Sequence, residues 1–165
     1  MKWSSNTDLM TEKSYKRLWV LRRLKGLGAS DDDLLYVYFK QVRPVLEYAV
    51  PVWHSSITQG EIESLERVQK SALRIILQDK YKSYESSLKI LKTQSLQERR
   101  EKLCIKFALQ AERHEKFSSW FKINEKNTVT RKNPPKYCQV YSRTVKLDKS
   151  PLSYLTSILN TYQSN

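Results

Sequence analysis

The sequence predicts a mainly α-helical protein, and three observations carry that reading. Apolar residues recur at three- and four-residue spacing in successive stretches of the chain, the period of one face of an α-helix. Helix-start residues stand in front of those stretches at Ser30, Thr58, Ser95 and Ser150, where a side-chain oxygen can cap a free N–H. A stop signal, Gly26-Leu27-Gly28, follows the first stretch. The expected architecture is a bundle-like helical region over residues 1–80, a helical continuation over 81–121, and an extended basic segment over 122–165 that ends in a short docking helix.

The first helix is expected from Thr7 or Asp8 to Lys25, ending at Gly26. Its apolar stripe is Val20, Leu21 and Leu24, flanked by Leu18 and Trp19 and ringed by Lys13, Lys16, Arg17, Arg22, Arg23 and Lys25. Such a helix either lies on a larger body through a thin seam or meets a polyanion. Ser30 then caps a second helix whose first turn holds Asp31, Asp32 and Asp33, where the helix dipole favours negative charge. Three successive helical carboxylates point in different directions, which argues against a metal site. Leu35, Tyr38, Val42 and Leu46 give this helix its apolar face. Pro44 should kink it by removing the bond to the carbonyl of Lys40. Pro51 should end it, leaving Trp53 and His54 in a loop.

Thr58 and Glu61 form the capping box of a third helix. Ile62, Leu65, Ala72, Leu73 and Ile76 make its apolar face, with Gln69 inside that stripe. Arg67, Lys70 and Arg74 form a basic row, partly neutralised if Glu63–Arg67 and Glu66–Lys70 pair at i,i+4. A short helix follows, from about Tyr84 to Leu91.

The stretch SLQERREKLCIKFALQAERH, residues 95–114, opens with a second capping box, Ser95 to Glu98. At about 100° per residue it divides into three sectors. Leu96, Leu103, Cys104, Phe107 and Ala111 share one, and Arg99, Lys102, Lys106 and Arg113 fall in a narrow arc beside it. Glu98, Glu101, Glu112 and Glu115 take the third. The row of cations is either a solvated face with pairs such as Glu98–Lys102 or a set of phosphate contacts. Phe117, Trp120 and Phe121 come next, as an expected core anchor.

Residues 122–149 differ in kind. Pro134-Pro135 forbids a helix there, and Arg131, Lys132, Lys136, Tyr137, Tyr141, Arg143 and Lys146 interleave cations with rings. That mixture suits single-stranded nucleic acid, where cations track the backbone and rings stack on bases. It equally suits a solvated segment whose tyrosines pack on the helices. Ser150, Pro151 at the first helical position, and Leu152, Leu155, Ile158 and Leu159 close the chain as the docking helix.

Lys and Arg number 30 against 17 acidic residues, a net charge of +13. The excess lies at the two ends and along residues 81–116, which hold 9 basic and 5 acidic residues. A polyanion partner follows, nucleic acid first and an acidic membrane surface second. No apolar run approaches the roughly 18 residues that span a bilayer, so no membrane partner is expected. Nor does the N-terminus carry a signal-peptide pattern. Two cysteines, Cys104 and Cys138, make no disulfide framework and point to a reducing, intracellular compartment. The chain has no phosphate-cradling glycine loop, no GxSxG and no Cys-x-x-Cys, and its two histidines lie 60 residues apart. No catalytic residue, metal or cofactor is expected, and an enzyme acting alone is disfavoured.

Several stretches, in this order, resemble the C-terminal part of reverse transcriptases from non-LTR retrotransposons, especially the jockey-like, LINE-type elements. They are Lys2-Trp3, Lys16-Arg17-Leu18, Leu21-Arg22-Arg23-Leu24, and Val42-Arg43-Pro44-Val45-Leu46-Glu47-Tyr48-Ala49 with Pro51-Val52-Trp53-His54. Glu66, Gln69-Lys70 and Ala72-Leu73-Arg74-Ile75-Ile76 come next. Leu96, Arg99-Arg100-Glu101, Leu103-Cys104, Lys106-Phe107-Ala108 and Trp120-Phe121 follow, and Ser150-Pro151, Tyr154-Leu155 and Leu159-Asn160 close the series. The resemblance implies that residues 1 to about 80 correspond to the helical thumb, which grips the template–primer duplex. The remainder corresponds to the region after it, which helps hold template RNA. Arg22, Arg23, Arg67, Lys70 and Arg74 are then duplex-backbone contacts, and Arg99, Lys102, Lys106 and Arg113 belong to the RNA-holding part. The implied partner is RNA or an RNA–DNA hybrid. The fingers, the palm with its catalytic aspartate pair and the endonuclease have no counterpart in these residues, so polymerase activity is not carried over. Such elements commonly insert as 5′-truncated copies, which would leave a 3′ piece of this kind, either retained for binding or a relic without function. The alternative is a helical protein-interaction module. A thumb parted from its palm would expose an apolar surface near Leu18–Leu24 and Trp53, open to a palm-bearing chain or to self-association.

Overall fold

The structure is a computed structural model that describes residues 3–124 and 135–162. It is mainly α-helical, and among the described residues it contains no strand beyond one antiparallel bridge between Ile123 and Tyr137. No helix among them is long and apolar enough to cross a membrane. The helices are α1 (Ser4–Gly26), α2 (Asp31–Val37), α3 (Arg43–Leu46), α4 (Val50–Trp53), α5 (Gln59–Leu77), α6 (Tyr84–Ile90), α7 (Leu96–Arg113), α8 (Glu115–Ser118), α9 (Val145–Asp148) and α10 (Pro151–Tyr162). They form two compact units, Met1–Ala49 with Ile57–Arg99, and Val50–Ser56 with Arg100–Asn165. These boundaries cut across the three stretches expected from the sequence.

In the first unit α1 packs chiefly on α5. Its buried seam is Thr7, Met10, Ser14, Leu18 and Leu21; of the expected stripe Leu21 is buried, Leu24 half-buried and Val20 exposed. Two small hydroxyl residues, Thr7 and Ser14, belong to this seam, and Thr7 Oγ1 donates to the carbonyl of Trp3 at 3.0 Å. Gly28, not Gly26, takes the left-handed turn, at φ +87. Around it, Ala29 N–H reaches Leu24 O and Gly28 N–H reaches Lys25 O, the Schellman closure.

The second apolar face starts at Leu34, with Leu35 only half-buried, and continues through Tyr38, Val42 and Leu46, all fully buried. A constant stride of four drifts about 40° per step on an α-helix. The chain removes the drift with a π-helical turn over Tyr38–Val42 just ahead of Pro44, closed by Arg43 N–H to Tyr38 O. The expected proline kink is therefore a π-turn, a wider turn in which N–H reaches the fifth carbonyl back.

The expected caps of α2 and α5 are present. Ser30 Oγ accepts from Asp33 N–H at 3.2 Å, and Thr58 and Glu61 exchange both capping-box bonds. On α5, Val68 and Leu77 join the buried face, and Gln69 lies in its middle at 1% exposure.

Within the second unit, Pro51 does not end a helix but lies in the first turn of α4, where its missing N–H costs nothing. Trp53 closes α4 at 1% exposure and His54–Ser56 form a 3₁₀ turn. Ser55 and Ser56 both donate to Lys149 O at 2.8 Å, which fastens this turn to the start of α10. Leu18, Leu21 and Trp53 are buried, whereas Trp19, Val20 and Val52 beside them stay exposed, so part of the expected apolar surface is present. The inward face of α7 holds Arg100, Cys104, Ala108 and Ala111, while Leu103 and Phe107 are half-buried. Arg100, fully buried, was not foreseen.

Candidate nucleic-acid interface

In the first unit the α5 row survives, but its pairing differs from expectation. Arg67 lies 4.0 Å from Glu63 with both side chains more than half exposed, a pair of little energetic weight. Glu66 does not meet Lys70. Its Oε1 accepts instead from Tyr84 Oη and from Leu96 N–H. Lys70 Nζ sits 5.1 Å from the centre of the Tyr84 ring, and Arg74 Cζ 5.2 Å from that of Tyr81. A cation over a ring keeps its charge uncompensated. Arg22 and Arg23 are exposed near the end of α1, with Arg23 5.7 Å over Trp19.

Arg99 leaves the row that helical geometry assigned it. It is in the first unit, where its Nε donates to Glu47 Oε1 at 2.5 Å and its Nη2 to Glu47 Oε2 at 3.1 Å. Arg43 approaches the same carboxylate at 3.7 Å. The fork is bidentate and largely shielded, so the Arg99 guanidinium is occupied as a structural clamp.

In the second unit Lys102, Lys106 and Arg113 are all exposed on one side of α7. Among the described residues none of them makes an ion pair or hydrogen bond, and the expected Glu98–Lys102 pair is not formed. The sequence of this unit holds 13 basic and 5 acidic residues.

Arg131 and Lys132 lie outside the described residues. Lys136 Nζ binds Glu112 Oε1 at 2.9 Å, which holds the ammonium above its ordinary range. Tyr137 is 5% exposed, donates its hydroxyl to the same carboxylate oxygen, and packs 5.8 Å from Phe121. Its backbone is held from both sides by Asn160, whose Oδ1 accepts from Tyr137 N–H and whose Nδ2 donates to Tyr137 O. Tyr137 is thus a core anchor, not a stacking platform.

Trp120, expected in the core, is 48% exposed, while Phe121 is buried. It borders an apolar groove of about 430 Å³. The exposure of a ring beside a basic helix was not readable from periodicity, which ends before residue 117.

His54 is neutral at physiological pH: burial lowers its pKa, and the charge of Arg100 lowers it further. Among the described residues no group of three His, Cys, Asp or Glu is placed to hold a metal ion. Asp31 lies between Lys25 and Lys80, at 2.8 and 2.7 Å. No protein-family model matches the chain, and no curated protein or solved structure matches it either.

Proposed function

We propose that this protein binds nucleic acid without catalysing a reaction on it, gripping RNA or an RNA–DNA hybrid through its phosphates. In origin we infer a thumb and post-thumb region of a non-LTR retrotransposon reverse transcriptase, from the ordered sequence resemblance. The observation that carries the binding reading is the exposed side of α7, where Lys102, Lys106 and Arg113 stand without a carboxylate partner among the described residues. Surface cations on a helix can be neutralised by acids four residues away. These three are not, and they sit in a unit with a large positive excess. Arg67 and Arg74 on α5 offer a second set of exposed cations in the other unit. Contacts of this type position a backbone and carry no sequence information.

The test is a salt series with RNA, an RNA–DNA hybrid and duplex DNA of equal length. Three phosphate contacts contribute about 2 to 3 to the slope of log affinity against log salt. Changing Lys102, Lys106 and Arg113 together to Gln should remove that contribution and weaken binding to all sequences alike. A folded wild type that binds none of the three at low salt, or a triple variant with an unchanged slope, would overturn the reading.

A further inference from the structure

We propose that the groove beside Trp120 receives an unpaired nucleobase, so that the basic surface of this unit selects single-stranded over paired nucleic acid. This rests on the phosphate-binding reading above. The groove lies wholly within the second unit and encloses about 430 Å³, within the range of small-molecule sites. Its walls are Phe107 of α7, Trp120, Pro51 and Val52 of α4, and Pro151 and Leu155 of α10. The one hydroxyl there, Ser150, is the N-cap of α10, its Oγ accepting from Ser153 N–H at 3.4 Å.

Two features choose the occupant. The first is the ring: the Trp120 indole is braced by Phe117 at 4.9 Å with the planes tilted by 58°, yet it remains 48% exposed. A base offers a flat π-face to such a ring whatever its identity. The second is charge. Lys106 precedes Phe107, Lys149 precedes Ser150, and Lys122 follows two residues after Trp120, and all three are exposed. None makes an ion pair among the described residues, and no acidic residue lines the groove. An uncharged apolar guest would gain nothing from those cations, whereas a base arrives with a phosphate on each side. Because the walls offer only the Ser150 hydroxyl and the Trp120 indole N–H as polar groups, stacking dominates and the slot should accept all four bases.

The experiment compares a single-stranded oligonucleotide with its fully abasic counterpart, which has the same phosphates and no rings. Wild type should bind the base-bearing strand about tenfold more tightly, the usual size of one stacking contact. Trp120→Ala should erase that preference while keeping the abasic affinity and the salt slope, and Trp120→Phe should retain most of it. A duplex of equal length should bind both variants like wild type. Equal wild-type affinity for the two strands, or a preference that survives Trp120→Ala, overturns the slot and leaves the phosphate surface standing. Failure of wild type to bind either strand overturns the phosphate surface and the slot with it.

Discussion

The hydroxyl of Tyr38 donates to Oε1 of Gln69 at 2.7 Å, joining two side chains that are 0% and 1% exposed. Gln69 interrupts the apolar stripe of α5 because it is the hub of a buried polar chain. Its Nε2 donates to Gln94 O at 2.8 Å and to Tyr84 Oη at 3.1 Å. Tyr84 in turn donates to Glu66, which also accepts from Leu96 N–H. The start of α7 is therefore fastened to α5 by polar groups that leave water together. Replacing Gln69 by Leu fills the space but strands Tyr38 Oη and Gln94 O, and should cost about 2 to 3 kcal/mol. Tyr38→Phe strands only one acceptor and should cost about 1 kcal/mol. Because the two changes break one shared bond, the double variant should lose less than their sum. Urea unfolding of the four proteins measures the coupling, and strict additivity would refute the hub.

Burial raises the pKa of Tyr38 well above its ordinary value near 10, and burial plus the Glu66 hydrogen bond does the same for Tyr84. Folding thus favours the protonated phenols. Below about pH 10 both states carry the proton and the contribution is fully present. Above it the unfolded chain loses protons that the folded chain keeps, so stability falls as pH rises. For Tyr38 the slope approaches about 1.4 kcal/mol per pH unit. Tyr38→Phe, though less stable at pH 7, should lose stability more slowly between pH 10 and 11.5. Unfolding free energies at three alkaline pH values test this, and parallel slopes for variant and wild type would exclude it.

The elements most legible in the sequence were those fixed by local chemistry. Ser30, Thr58 and Ser150 cap the helices assigned to them because capping needs only residues three apart. Burial was less legible where a distant partner decides it. Arg99 and Arg100 are neighbours, yet one clamps Glu47, 52 residues away, and the other is fully buried in the second unit. Glu66 looks like a partner for Lys70 at i,i+4, but it accepts from Tyr84 Oη, and Lys70 lies over the Tyr84 ring, a pairing that spacing along α5 alone does not reveal. The π-turn before Pro44 shifted the buried register from Leu35 to Leu34, which a fixed 3.6-residue period does not anticipate. In the candidate interface, helical phase grouped Lys102, Lys106 and Arg113 correctly on one exposed side but could not exclude Arg99.

That exclusion separates a fold contact from a surface contact on one helix. Arg99 and Glu47 are 28% and 12% exposed, and their fork is closed at both nitrogens. Arg99→Gln keeps some hydrogen-bonding capacity but abandons the carboxylate charge to Arg43, itself 3.7 Å away and set less favourably. It should cost about 1 to 2 kcal/mol of stability. Arg99→Lys should recover little of it, because a point charge cannot make the fork. Lys106→Gln, on an exposed side chain without a partner among the described residues, should change stability by less than about 0.5 kcal/mol. For nucleic acid the order reverses: Lys106→Gln should lower the salt slope by about 0.7 to 0.9, and Arg99→Gln should leave it unchanged. Thermal unfolding and a salt titration on the same three variants read both quantities. A lowered slope in Arg99→Gln at full stability would return Arg99 to the phosphate-binding row.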